Sequence, residues 1–223
     1  MTALDGFGSQ LLIGAISTIE LALASLVLGT LLGLLGCWLQ LSGRRPMRGL
    51  GYLYAAVIRG VPDLLVVFAI YFGGALMLAT LTGRYVQINT FLAGVVALAL
   101  SFGAYAAEIA RGALQSVPNA QREAARSLGM TPAQTLWTVT GPQATRVALA
   151  PFGNQAIVLL KQTSIVSIVG ADELMRKAAE ASGATRQPFT IYLAAACIYL
   201  ALTGLATLGL EWSERRVSRA YAG

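Results

Sequence analysis

The sequence predicts an all-α, polytopic membrane protein with about five transmembrane helices. Hydrophobic residues make up 56% of the 223-residue chain and charged residues only 12%. That is too apolar for an ordinary soluble domain of this length. The apolar residues also come in long runs, and a bilayer-spanning helix needs about 20 in succession. The chain contains no histidine, so zinc sites and His-based catalysis lose their commonest member.

The elements follow in chain order. The start, MTALDGFGSQ, carries Asp5 and no Lys or Arg. It has neither the basic region nor the small-residue cleavage site of a signal peptide. Residues 11–39 form an apolar run with one charge, Glu20, and are expected to be a retained span. The second span is expected over 51–80 and carries Arg59, Pro62 and Asp63. The third covers 90–115 and ends with Glu108 and Arg111, one turn apart. The fourth, 143–165, holds Pro151, Asn154 and Gln155; the fifth covers 188–211. All belong to one domain, 1–223, with no long repeat or low-complexity tract. Cys37 and Cys197 lie in apolar segments and read as buried small side chains.

Orientation follows from the Lys/Arg bias of the connecting segments, which favours the cytoplasm. Segments 40–50, 116–142 and 212–223 hold Arg44, Arg45, Arg48, Arg122, Arg126, Arg215, Arg216 and Arg219. Segments 1–10, 81–89 and 166–187 hold only Arg84, Arg176, Lys177 and Arg186. The N-terminus is therefore expected outside and the C-terminus inside. The net charge of +6 reflects this topology; a nucleic-acid surface would need a clustered basic face with interleaved aromatics. In the outer segment, ADELMRKAAEASG reads as a short amphipathic helix. Asp172 suits its N-cap and Gly183 its stop. Asp172–Arg176 and Glu173–Lys177 are expected i, i+4 pairs.

The inner segment 116–142 is nearly thirty residues long, whereas plain connections are usually about 2–8. Pro118 precedes NAQREAARSL, and Gly129 follows it. Thr131–Pro132 then gives an N-cap and first-turn proline for AQTLWTV, and Gly141–Pro142 is expected to stop that second helix. The first helix is too polar to insert and too short to be stable alone. Its alanines permit close approach, while Arg122, Glu123 and Arg126 can set register. A rigid helical elbow for a cytoplasmic partner explains the length better than a simple connection.

The elbow resembles the EAA loop of ABC importer permeases. That pattern is Glu-Ala-Ala, three residues, Gly, nine residues, then Ile-x-Leu-Pro. Here Glu123, Ala124, Ala125 and Gly129 match, MTPAQTLWT supplies the spacer, and Pro142 closes the pattern. Val139 stands in place of Ile and Gly141 in place of Leu. RGVPDLLVVFAIYFG (59–73), GAYAAEIARGALQSVPNAQREAARSLGM (103–130) and LLKQTSIVSIVGADEL (159–174) extend the likeness. These stretches resemble permeases of the polar amino acid uptake family, of the histidine/lysine/arginine/ornithine and opine type.

The resemblance implies a subunit of a binding-protein-dependent importer in the bacterial inner membrane. Its partners would be a second, similar permease chain, a cytoplasmic ATPase dimer and a periplasmic substrate-binding protein. The elbow would act as a coupling helix in an ATPase groove, through Arg122, Glu123, Ala124, Ala125, Gly129 and Pro142. ATP and Mg would be held by that partner, since no G-x-x-x-x-G-K-[ST] phosphate loop occurs in this chain. The solute would be a polar amino acid, by resemblance a basic amino acid or an opine. The choice among these, glutamine and glutamate stays open.

Charges inside spans are costly and often functional. Arg59 and Asp63 lie i, i+4 around Pro62, which fits either a pathway element or an ion pair holding a kink. Glu108 and Arg111 fit an ion pair at a helix end or a pathway group. Lys161, Gln162, Thr163 and Ser164 end the fourth span with several donors and acceptors, a lining suited to a zwitterion. The resemblance implies solute contact for Gln162 and Thr163. Asn154 and Gln155 are expected to hydrogen-bond across helices. A membrane enzyme would need a nucleophile with a base, and Ser101, Ser164 and Ser167 have no evident partner beyond Lys161. A secondary transporter or channel without an ATPase would leave the elbow unexplained.

Overall fold

The first helix, α1 (Gly8–Leu41), has 34 residues and is about 51 Å long at 1.5 Å per residue. The computed structural model describes residues 6–84 and 87–219; Asp5 lies outside them. Beyond α1 come α2 (Arg45–Gly60), α3 (Asp63–Thr82), α4 (Thr90–Ser116) and α5 (Asn119–Ser127). Helix α6 runs over 132–162 and passes into a 3-10 segment, Thr163–Val169. A short helix, α7 (Leu174–Thr185), and the last helix, α8 (Pro188–Arg219), complete the described chain. Among the described residues, four helices are long and apolar enough to cross a membrane: α1, α3, α4 and Pro188–Arg216 of α8.

Helix α4 is the centre of the bundle, with 67% of its most apolar window buried against 11% for α3 and 6% for α8. Small residues let α1 lie directly on it. A Cβ placed on Gly33 would stand 2.6 Å from the Ala106 Cβ, and one on Gly29 would stand 2.8 Å from Phe102 Cδ1. Gly29, Gly33 and Gly36 form one stripe on α1, a small-residue contact of the kind that drives helix association in lipid. Around this seam Leu21, Val66, Val67, Leu98, Phe102, Leu159 and Val166 make the main core. Phe102 meets Phe152 edge to face at 5.3 Å between centroids, a favoured aromatic geometry.

The second expected span divides. Val61 is extended (φ −106°, ψ 136°), because the ring of Pro62 disfavours helix at the preceding residue. Residues 51–60 therefore belong to α2, an amphipathic helix that starts at Arg45 and buries Gly51 and Ala55. Residues 63–80 belong to α3.

The fourth span departs from expectation in the opposite sense, because Gly141–Pro142 does not stop a helix. Residues 136–140 form a π turn in which the Gly141 N–H reaches the Leu136 carbonyl. The wider turn makes room for the ring of Pro142, which an ordinary α turn would press against a carbonyl. The elbow's second half is thus continuous with the Gly141–Gln162 helix. That segment is about 33 Å long, yet its polar side chains keep it out of the apolar group above.

The amphipathic helix expected in 166–187 exists, with different ends. Its N-cap is Glu173, whose side chain accepts from the Arg176 N–H, and its last turn closes at Arg186 in the left-handed region. Asp172 instead pairs with Lys177 at 2.8 Å, and Arg176 with Glu180 at 3.0 Å. The expected Asp172–Arg176 and Glu173–Lys177 pairs do not form, because Glu173 is turned inward. Cys37 is buried as read, but Cys197 lies exposed on α8. Asn154 and Gln155 make no hydrogen bond across helices.

Candidate functional site

The elbow is built by its punctuation. Pro118 is extended and opens α5. The helix ends at Gly129, whose φ of +78° is a conformation that side chains resist. The Met130 N–H returns 3.1 Å to the Ala125 carbonyl, closing the last turn. Thr131 and Gln134 then form a reciprocal capping box, at 3.3 Å and 2.8 Å. This satisfies donors that a helix start leaves free.

The site residues expected in the elbow divide by facing. Glu123 and Ala124 are exposed, whereas Ala125 is 3% exposed and faces inward. Neighbouring helix positions lie about 100° apart, so Ala124 and Ala125 cannot share a face. The Arg122 guanidinium donates to the Leu114 carbonyl, which ties α5 to the end of α4. Pro142 sits inside the continuous helix behind the elbow. Sequence reasoning missed Leu128 and Trp137, which are 80% and 78% exposed. Large apolar residues within a polar loop were the available signal.

Gly141 now has a structural reason. A Cβ there would fall 2.5 Å from the Leu136 carbonyl oxygen. Leucine, which the EAA pattern places here, is incompatible with this π turn.

Inside the bundle the polar residues form two groups. Glu108 is a hub: Gln40 Nε2 donates to it at 2.8 Å and Arg111 Nη2 at 2.6 Å, with Arg59 Nη1 at 3.8 Å. Gln40 also donates to the Gly51 carbonyl at 3.2 Å. Arg59 stands 5.3 Å over the Tyr105 ring, and Arg111 lies 5.7 Å from that of Tyr52. Three helices, α1, α2 and α4, are joined here. The Glu108–Arg111 ion pair is the one the spacing suggested.

Arg59 and Asp63 do not pair with each other, because the extended step at Val61 separates their helices. Asp63 accepts instead from Gln162 Nε2 at 2.6 Å, linking α3 to the end of α6. Among the described residues it forms no salt bridge, and the buried Gln162 carbonyl oxygen has no hydrogen-bond partner. Thr163 is fully buried, and its hydroxyl donates to the Leu160 carbonyl at 2.8 Å. The five expected pathway residues thus fall into an Arg59–Glu108 group and an Asp63–Gln162 group, with Thr163 packed behind the latter.

Long apolar helices around α4, interrupted by a capped, polar elbow, define the transmembrane component of a transport assembly. Residues 25–219 match the family described as binding-protein-dependent transport system inner membrane component. The chain belongs to this family of ABC importer permeases. It is 40% identical over 220 residues to the nopaline transport system permease protein NocQ of Agrobacterium fabrum, covering 96% of this chain and 93% of that one. It is 38% identical over 219 residues to the arginine ABC transporter permease protein ArtQ of Haemophilus influenzae, covering 97% of each. A crystal structure of an amino acid ABC transporter with histidines superposes with a TM-score of 0.84 at 37% identity, over 93% and 94% of the chains. An inward-facing structure of the MetNI methionine transporter shares the fold, with a TM-score of 0.74 at 20% identity over 93% and 95%. These relatives are transport components rather than enzymes. Family membership places the protein in the inner membrane and implies work alongside another permease, an ATPase and a binding protein.

Proposed function

We propose that this permease carries a cationic amino acid or an opine inward, and that Asp63 receives the solute's positive group. The observation that supports this is the isolation of Asp63. It is a half-buried carboxylate in the first turn of α3, and its hydrogen-bond partner among the described residues is the neutral Gln162 amide. Such a charge is costly unless a cation compensates it, and a solute that brings one supplies the missing partner. The free Gln162 oxygen adds a second acceptor for N–H groups. Arg59 and Glu108 line the path beside this pair, and Thr163 supports Gln162 from behind. Similar permeases are named for arginine and for histidine/lysine/arginine/ornithine, solutes that bear a positive group of the kind Asp63 would receive.

The whole chain, 1–223, acts as one transmembrane domain with five spans, the fourth of them, in addition to the four apolar helices, being the Gly141–Gln162 helix. Its N-terminus is periplasmic and its C-terminus cytoplasmic. Glu123, Ala124 and the exposed apolar residues of the elbow sit in a groove of one ATPase subunit. Arg122, Ala125, Gly129 and Pro142 hold the elbow's shape behind that face. The ATPase dimer binds ATP and Mg; its closure moves the elbow and switches access, a rigid-body transition. A second, similar permease chain completes the path, and a periplasmic binding protein delivers the solute.

The test is uptake by the full assembly in liposomes. Asp63→Asn is expected to raise the KM for arginine by about tenfold, equivalent to roughly 1.4 kcal/mol, with little change in ATP hydrolysis. An unchanged KM would remove Asp63 from the solute site. Glu123→Lys is expected to abolish uptake while solute binding persists. Full uptake with that variant would disprove the coupling role.

A further inference from the structure

Glu173 is the one acidic residue among the described residues that is essentially sealed, at 1% exposure. It precedes α7 in the connection from the 3-10 segment, outside the spans. Its partners are all neutral. Tyr199 Oη donates to Oε2 at 2.8 Å and Thr18 Oγ1 at 3.4 Å, while the Arg176 N–H donates to Oε1 at 2.8 Å. Thr18 Oγ1 in turn accepts from the Leu174 N–H at 3.1 Å. A single carboxyl therefore joins α1, α7 and α8, beside a core of Leu11, Ala15, Leu174, Ala178 and Ile191.

Among the described residues no cation forms an ion pair with it. On α7, Lys177 binds Asp172 and Glu180, and Arg176 binds Glu180. On α1, Glu20 is exposed away from the packed face, and Lys161 at the end of α6 is exposed without an ion pair. On α8, the titratable groups on this side are Tyr199 and Tyr192. Helix α7 is short, and it docks through that apolar core together with this polar cluster.

We propose that Glu173 is a positioning residue whose bound proton decides how firmly the outer helix is held on α1 and α8. Burial pushes the Glu173 carboxyl above the usual carboxylate range, and the donors from the Met175 and Arg176 backbone, Tyr199 and Thr18 oppose this without cancelling it. The sign follows. A raised value means that docking favours the neutral carboxyl, so the docked state is strongest at acid pH. It weakens as pH rises through the raised value. This does not depend on which solute is carried.

The experiment is hydrogen–deuterium exchange of residues 171–185 in the assembled transporter in lipid nanodiscs, corrected for intrinsic exchange, from about pH 5 to about pH 8. Protection in the unaltered protein is expected to fall by about tenfold or more across that range. Glu173→Gln keeps the shape without the charge, so its protection should stay high and flat. Tyr199→Phe removes the shortest side-chain donor to the charged form and should move the midpoint to higher pH. Flat protection in the unaltered protein, or an unchanged pH slope in Glu173→Gln, overturns the proposal. Since exchange is read without solute, a failed arginine-uptake test leaves it standing.

Discussion

Glu108 shows how one side chain can join three helices that the apolar effect alone would leave free to slide. Its carboxylate accepts charge-assisted hydrogen bonds from Arg111 and lies within ion-pair range of Arg59, while Gln40 binds its other oxygen. Hydrogen bonds to charged groups contribute about 1.5–3 kcal/mol each. Glu108→Gln is therefore expected to lower stability by a few kcal/mol, read as a lower Tm of the detergent-solubilised complex. Gly129 is a backbone requirement rather than a contact. At φ +78°, Gly129→Ala is expected to cost about 1–2 kcal/mol and to loosen the turn of the elbow, measurable as faster proteolysis within 127–131.

At the scale of elements, the seam between α1 and α4 depends on missing side chains. Gly33→Leu would drive several atoms into Ala106, whose Cβ already limits even a methyl group to 2.6 Å. Overpacking of this kind costs about 1–3 kcal/mol or more, so a lower Tm and poor assembly are expected. The π turn of α6 makes a second case. Helix continuity from Pro132 through Gln162 joins the elbow to Gln162 and its partner Asp63, the route that the proposed coupling would use. Gly141→Leu is expected to disturb that rod without touching the elbow's exposed face. ATP hydrolysis should persist but lose its response to the binding protein; an unchanged response would show that the π turn is not part of coupling.

For the molecule as a whole, orientation decides which surface meets which partner. The elbow carries exposed Ser127 and the outer helix exposed Ala184. In a cysteine-free background, Ser127→Cys is expected to react with an impermeant maleimide only from the cytoplasmic side. Ala184→Cys should react only from the periplasmic side. The reverse pattern would invert the topology read from the arginines. The fold puts the Glu173 cluster and the elbow at opposite ends of the bundle, with α6 running between them.

Much of this was legible before any folding was considered. Long apolar runs determine the all-α membrane class, because only internally hydrogen-bonded segments are tolerated in lipid. Pro118, Gly129 and Thr131–Pro132 determine the elbow, because each sets backbone geometry locally. The Glu108–Arg111 pair was readable from helical spacing for the same reason. What required the tertiary structure depends on partners distant in the chain. Arg59 and Asp63 look like a pair in sequence, yet the break at Pro62 gives one to Glu108 and the other to Gln162. Glu173 looks like a surface charge, yet Thr18 and Tyr199, from helices near opposite ends of the chain, enclose it. Gly141–Pro142 looks like a stop, yet a π turn carries the helix through. Local rules bound the backbone; long-range packing selects among the arrangements they allow and decides which polar groups lose their water.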